Sequence, residues 1–154
     1  MTEKIVTSNA TAAAPAAPWH LWVVGVVSLL WNAFGAYDYL MTQTRNDAYM
    51  GQFTPDQLDY FYGFPAWMEF FWALGVWGAV AGSVLLLLRK RWAVHAFIVS
   101  LVGLVGSSIY SFVVNPVPES MGSAGYAVFT AVIFAVTLLL VWYSVTMVRK
   151  GVLR

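Results

Sequence analysis

The chain has no cysteine. That absence excludes a disulfide framework, thiol catalysis, a thiolate-held metal or iron–sulfur centre, and quinone-linked disulfide exchange. Charge is scarce as well, since only 10% of the 154 residues are Asp, Glu, Lys or Arg, too few to clothe a soluble domain of this size. The near-neutral net charge of +1 leaves no electrostatic footprint for nucleic acid. No nucleophile beside a buried general base, no metal-ligand cluster and no phosphate-cradling glycine loop can be named, so the sequence indicates a non-enzyme.

What is abundant is apolar length. Residues 19–41, 66–88, 93–114 and 124–148 form four hydrophobic runs, each about as long as the roughly 20 residues that cross a bilayer as a helix. The expected fold is all-α, a membrane-spanning antiparallel four-helix bundle occupying residues 19–148. Residues 1–18, with their Ala/Pro tract, read as a disordered cytoplasmic tail, and residues 149–154 as a basic one.

The basic residues set an expected orientation. Arg89, Lys90 and Arg91 lie between spans two and three, and Arg149, Lys150 and Arg154 follow span four. Positive charge stays on the cytoplasmic side, which places both termini there. The first external loop then holds Arg45 against Asp47, Asp56 and Asp59, one positive charge against three negative, a net of minus two. The expected location is a bacterial inner membrane.

Each span carries small and polar residues at helical spacing. Gly25, Ser28, Asn32, Gly35 and Tyr39 share one stripe of span one, and Ser100, Gly103, Ser107 and Tyr110 share one of span three. Span two offers Gly75, Gly78 and Gly82, and span four offers Ser123, Thr130, Thr137 and Ser144. In lipid, helices associate through close backbone approach at such residues and through hydroxyl or amide bonds, so these stripes are expected to pack the bundle.

Three polar positions are candidate solute-binding residues. Asn32 falls near the membrane midplane, where an unpaired amide costs several kcal/mol; its expected partner is Tyr110, a span-four hydroxyl or a backbone carbonyl. Asp38 and Glu69 fall at similar depth beneath the outer surface, where two carboxylates could share one vestibule. Against that, Glu69 suits the first turn of a helix, and Asp38 could reach water or pair with Arg45. In the first external loop, Thr54-Pro55-Asp56-Gln57 has the form of an N-cap, an N1 proline and a capping-box glutamine. It predicts a short interfacial helix leading into the aromatic run of residues 60–67. His20 and His95 sit at matching depth, as haem ligands would, but their boundary positions beside Trp19 and Trp92 read as interface anchors, and no cofactor is expected.

The strings Leu30-Trp31-Asn32-Ala33-Phe34-Gly35, Asp38-Tyr39-Leu40-Met41-Thr42-Gln43-Thr44-Arg45-Asn46, Phe53-Thr54-Pro55, Phe64-Pro65-Ala66-Trp67 and Trp72-Ala73-Leu74-Gly75-Val76-Trp77-Gly78 resemble a group of small bacterial four-span membrane proteins without established activity, some of which carry a sugar-transporter label. The resemblance covers residues 19 to about 105, adds weight to transport and implies no functional residue. Two function classes follow. The first is a non-enzymatic accessory or scaffold bundle, associating with lipid and with a second copy or another membrane protein. The second is a small polar-solute transporter or channel subunit using Asn32, Asp38 and Glu69.

Overall fold

A computed structural model describes residues 16–154. The expected N-terminal tail therefore lies almost wholly outside the described residues. The fold is all-α, and four helices are long and apolar enough to cross a membrane. The protein is a multi-pass membrane protein. Its helices are α1 (Trp19–Gln43), α2 (Asp47–Met50), α3 (Pro55–Tyr62), α4 (Ala66–Leu87), α5 (Ala93–Ile109) and α6 (Ser123–Arg149), with a π turn over Tyr110–Val114 and a 3-10 turn over Glu119–Met121. One end of the bundle carries α2 and α3 (the loop end); the other carries the arginines and lysines (the basic end).

The closest helix pair is α4 with α5, and glycine is the cause. A Cβ at Gly103 would overlap the Gly75 backbone nitrogen and lie 2.5 Å from the Phe71 carbonyl oxygen, and one at Gly78 would lie 2.9 Å from the Ser100 nitrogen. With no Cβ in the way, the backbones approach until Ser100 Oγ donates to the Gly75 carbonyl at 2.6 Å. Gly82 takes the ring of Phe97, and Gly106 that of Phe71. The span-two and span-three stripes thus face each other, which is how membrane helices gain contact without a hydrophobic driving force. On either flank of this pair, α1 packs on α4 and α6 on α5. Gly25 accepts the Leu87 side chain, and the buried Ser28 donates to its own helix at Gly25 O, 3.0 Å.

The last residues do not form a free tail. Helix α6 closes with Val152 N bonded to Met147 O and Gly151 N to Val148 O, with Gly151 at φ 71°, which is the Schellman pattern. The chain then turns back beneath the bundle. Arg91 N donates to Arg154 O and Arg154 N to Arg89 O, both at 2.9 Å. Val152 and Leu153 are buried against Leu21, Leu86, Ala93, Phe97 and Met147. All four spans meet in this cluster, so the basic end is closed.

Candidate functional site

Above that cluster the bundle opens into a cavity of about 420 Å³. Its floor is Asn32 on α1, Ala79 on α4, Ser100 on α5 and Thr137 on α6; Asp38 and the α3 residues Tyr60 and Phe61 line it as well. The cavity exists because α1 and α6 flank the glycine-sealed pair without packing closely on each other. Besides the shared cluster at the basic end, that edge carries a hydrogen bond between His20 Nδ1 and Tyr143 Oη at 2.6 Å and the Trp31 and Phe129 rings 6.3 Å apart. Trp31, Phe34 and Phe129 line the cavity yet are largely exposed. The opening is therefore sideways, between α1 and α6, where the surroundings are lipid.

Helix α3 closes the loop end. Gln57 Oε1 accepts from Thr54 N at 2.9 Å as the capping box requires, and Gln57 Nε2 donates to Ser120 O at 3.0 Å, fastening the helix to the α5–α6 connection. Tyr60, Phe64, Trp72 and Tyr110 then interlock edge to face, with centroids 5.2 Å apart for Tyr60–Phe64, 5.8 Å for Phe64–Trp72 and 5.5 Å for Phe64–Tyr110. The helix begins where the sequence indicates, but Tyr60 and Phe61 on it cover the cavity rather than only resting at an interface. Burial pushes the Tyr60 hydroxyl up to about 12; the Ser111 hydroxyl beside it pulls the other way, and Tyr126 and Tyr110 add to the rise. Ser111 does not complete a hydrogen bond with it, and the buried Tyr60 Oη has no partner among the described residues.

Asn32 lines the cavity with its amide anchored to α4. Its Nδ2 donates to Ala79 O at 3.2 Å and to Ser83 Oγ at 2.9 Å. The partner is a backbone carbonyl and a hydroxyl of span two, not Tyr110 and not span four; Tyr110 Oη accepts from Asn115 instead, at 3.0 Å. Because a carbonyl oxygen only accepts, the amide nitrogen must face Ala79, which leaves Oδ1 free of any donor among the described residues.

Asp38 also lines the cavity, and Glu69 does not. Glu69 sits half-buried in the first turn of α4, the position where a carboxylate complements the helix dipole. The vestibule thus has one carboxylate. Asp38 Oδ1 accepts from Tyr49 Oη at 2.5 Å. Burial, the hydrogen bond to Asp38, the Asp38 charge and Tyr37 together hold the Tyr49 hydroxyl well above the usual phenol range, so it stays a donor. Arg45 lies over the Tyr62 ring, 4.4 Å from its centroid. No Lys or Arg pairs with Asp38 among the described residues.

The proposed packing residues divide. Gly25, Ser28, Gly75, Gly78, Gly82 and Gly103 lie at helix contacts or in the buried core. Gly35 and Ser107 line the cavity, and a Cβ at Gly35 would meet nothing within 4 Å. His95 stacks on Trp92 with centroids 5.1 Å apart, while His20 engages Tyr143, so the two histidines have separate partners. Tyr60, Phe61 and Phe64, part of the run read as an interfacial belt, are brought to the cavity by the lie of α3; the sequence does not single out Tyr49 or Phe129, and the structure sets Tyr49 on Asp38 and Phe129 in the cavity wall. In comparisons with known proteins, no family model, no curated protein and no solved structure matches the chain.

Proposed function

We propose that the protein is a membrane-embedded binding protein for a small amphipathic molecule, taken from the bilayer through the gap between α1 and α6, and that it serves as a carrier subunit rather than a pore. The cavity carries this reading. It has a volume of about 420 Å³ and opens between α1 and α6, and pockets of roughly 300–1,000 Å³ are the usual size for small-molecule sites. The walls are mainly aromatic and aliphatic with a few convergent polar groups, the usual make-up of a small-molecule site. The buried cluster at the basic end and α3 at the loop end make the cavity blind along the bundle axis, which argues against continuous conduction. Scaffolding alone would need only the α4–α5 glycine seam.

Filling the cavity tests the reading. Gly35→Trp places an indole in open space and should leave the thermal midpoint of protein in nanodiscs unchanged or slightly raised. A panel of amphipathic molecules of benzyl to steroid size should raise the midpoint of wild type, since binding at a hundredfold excess over Kd stabilises by about 2.7 kcal/mol. The same molecules should lose their effect on Gly35→Trp. A panel that moves neither protein removes the proposal.

In this reading the membrane is a bacterial inner membrane and the site faces its outer leaflet, with both termini cytoplasmic; the positive-inside tendency of the two basic clusters supports that orientation. Both Gln52 and Lys90 are exposed, at opposite ends of the bundle. In intact cells a cysteine at Gln52 should react with an impermeant thiol reagent and one at Lys90 should not; the reverse pattern overturns the orientation.

A further inference from the structure

We infer that the cavity selects a lipophilic organic cation of the ammonium type, with Asp38 as its counter-ion; this rests on the binding role proposed above and names the ligand class. Asp38 is the one charged side chain among the residues lining the cavity, and no Lys, Arg or His joins it. Its Oδ1 accepts a hydrogen bond from Tyr49 Oη, which orients the carboxyl group, and Oδ2 has no donor among the described residues. Arg45, the nearest cation in sequence, is held over Tyr62 instead.

The other polar groups point the same way. Ser100, Ser107, Ser108 and Thr137 all line the cavity, and each commits its hydroxyl proton to a backbone carbonyl, at 2.6, 3.1, 2.7 and 2.8 Å. Their remaining lone pairs are acceptors. Asn32 spends its amide protons on Ala79 and Ser83, which leaves Oδ1 as an acceptor without a donor among the described residues. Tyr60 and Thr130 keep rotatable hydroxyls that serve in either sense. Trp31 and Trp72 add indole N–H donors, so the wall is rich in acceptors, negative at one point and without a basic side chain. An anion would meet the Asp38 charge with no basic side chain to offset it, and a neutral hydrocarbon leaves Asp38 unused. The same cavity is lined by the rings of Phe34, Tyr60, Phe61, Phe64 and Trp72, and ring faces attract alkylammonium groups. In a low-dielectric cavity open to lipid, one carboxylate in a wall rich in rings recognises a single positive charge on an apolar body.

The test uses benzyltrimethylammonium and its uncharged carbon isostere neopentylbenzene, which have the same shape. The full-length protein is held in nanodiscs of zwitterionic lipid, with affinities referred to measured free concentrations and read from thermal midpoints. Wild type should bind the cation at least about tenfold more tightly than the isostere. Asp38→Asn should lose that preference, and Asp38→Glu should restore most of it. The wild-type comparison needs no variant, so misfolding of one cannot obscure the result. If cation and isostere bind equally, Asp38→Asn changes nothing and Gly35→Trp abolishes both, the cation assignment falls while the binding cavity stands. If neither compound binds, or Gly35→Trp still binds them, both fall.

Discussion

Gly103→Ala should cost at least about 3 kcal/mol, the upper part of the range for overpacking a core, although it adds a single methyl. The reason is what the methyl meets. Both nearest atoms, Gly75 N and Phe71 O, are backbone, so no rotamer change can make room and α4 must move away from α5. That movement also breaks the bond from Ser100 to Gly75 O and loosens the seats of Phe97 and Phe71. Gly35→Ala is the matched control: it is the same chemical change in α1, where a Cβ meets nothing within 4 Å. Helix propensity favours alanine there by up to about 1 kcal/mol. Detergent-denaturation midpoints should thus separate the two variants in opposite directions. Equal stability for Gly103→Ala and wild type would mean that α4 and α5 do not touch through this seam.

That contrast shows how far the sequence could be read. Four apolar runs separated by short polar connections leave a chain in lipid few choices, because every backbone group must be bonded within a helix. The all-α bundle follows from that. The local code of the first loop was also legible, since Thr54, Pro55 and Gln57 act within one turn. Helical spacing shows that Gly35 and Gly103 each lie on a stripe of small residues, yet it cannot show which stripe has a partner: Gly103 meets Gly75 across a seam, and Gly35 meets open space. The same limit hid the vestibule. Depth along a helix is counted from the span boundary and puts Asp38 and Glu69 level, but their facing depends on how α1 and α4 rotate against each other. That rotation is set by Gly25, Leu87 and the amide of Asn32 reaching Ala79, all of them contacts distant in sequence. Tyr49 escaped notice for a different reason. Its approach to Asp38 depends on the reversal at Arg45, a non-glycine residue at φ 49°, and neither Asn46 nor Asp47 advertises that conformation as a glycine would.

Leu153→Asp should release the end of the chain from the bundle. Leu153 is only 3% exposed and Val152 5%, in a segment whose composition, Arg149-Lys150-Gly151-Val152-Leu153-Arg154, otherwise reads as a solvated basic tail. Burying a large apolar side chain of this kind is worth about 2–5 kcal/mol in truncation experiments, and a carboxylate in the same seat adds an unpaired buried charge. The protein has a less costly response than global unfolding, because a terminal segment can detach by itself. The penalty is then limited to the docking energy. Hydrogen exchange reads this directly: the amides of Arg91 and Arg154, which bond across to Arg154 O and Arg89 O, should lose protection by about thirtyfold or more, since even 2 kcal/mol of lost docking shifts the opening equilibrium that far. Amides in the middle of α4 and α5 should stay protected, because the glycine seam does not depend on the tail. If exchange at Arg91 and Arg154 is unchanged while the whole bundle loses stability, the tail is a full member of the core and opens only with it. If neither changes, the tail is not docked, and the closed floor that makes the cavity blind at the basic end must be held by Leu21, Leu86, Phe97 and Met147 without it.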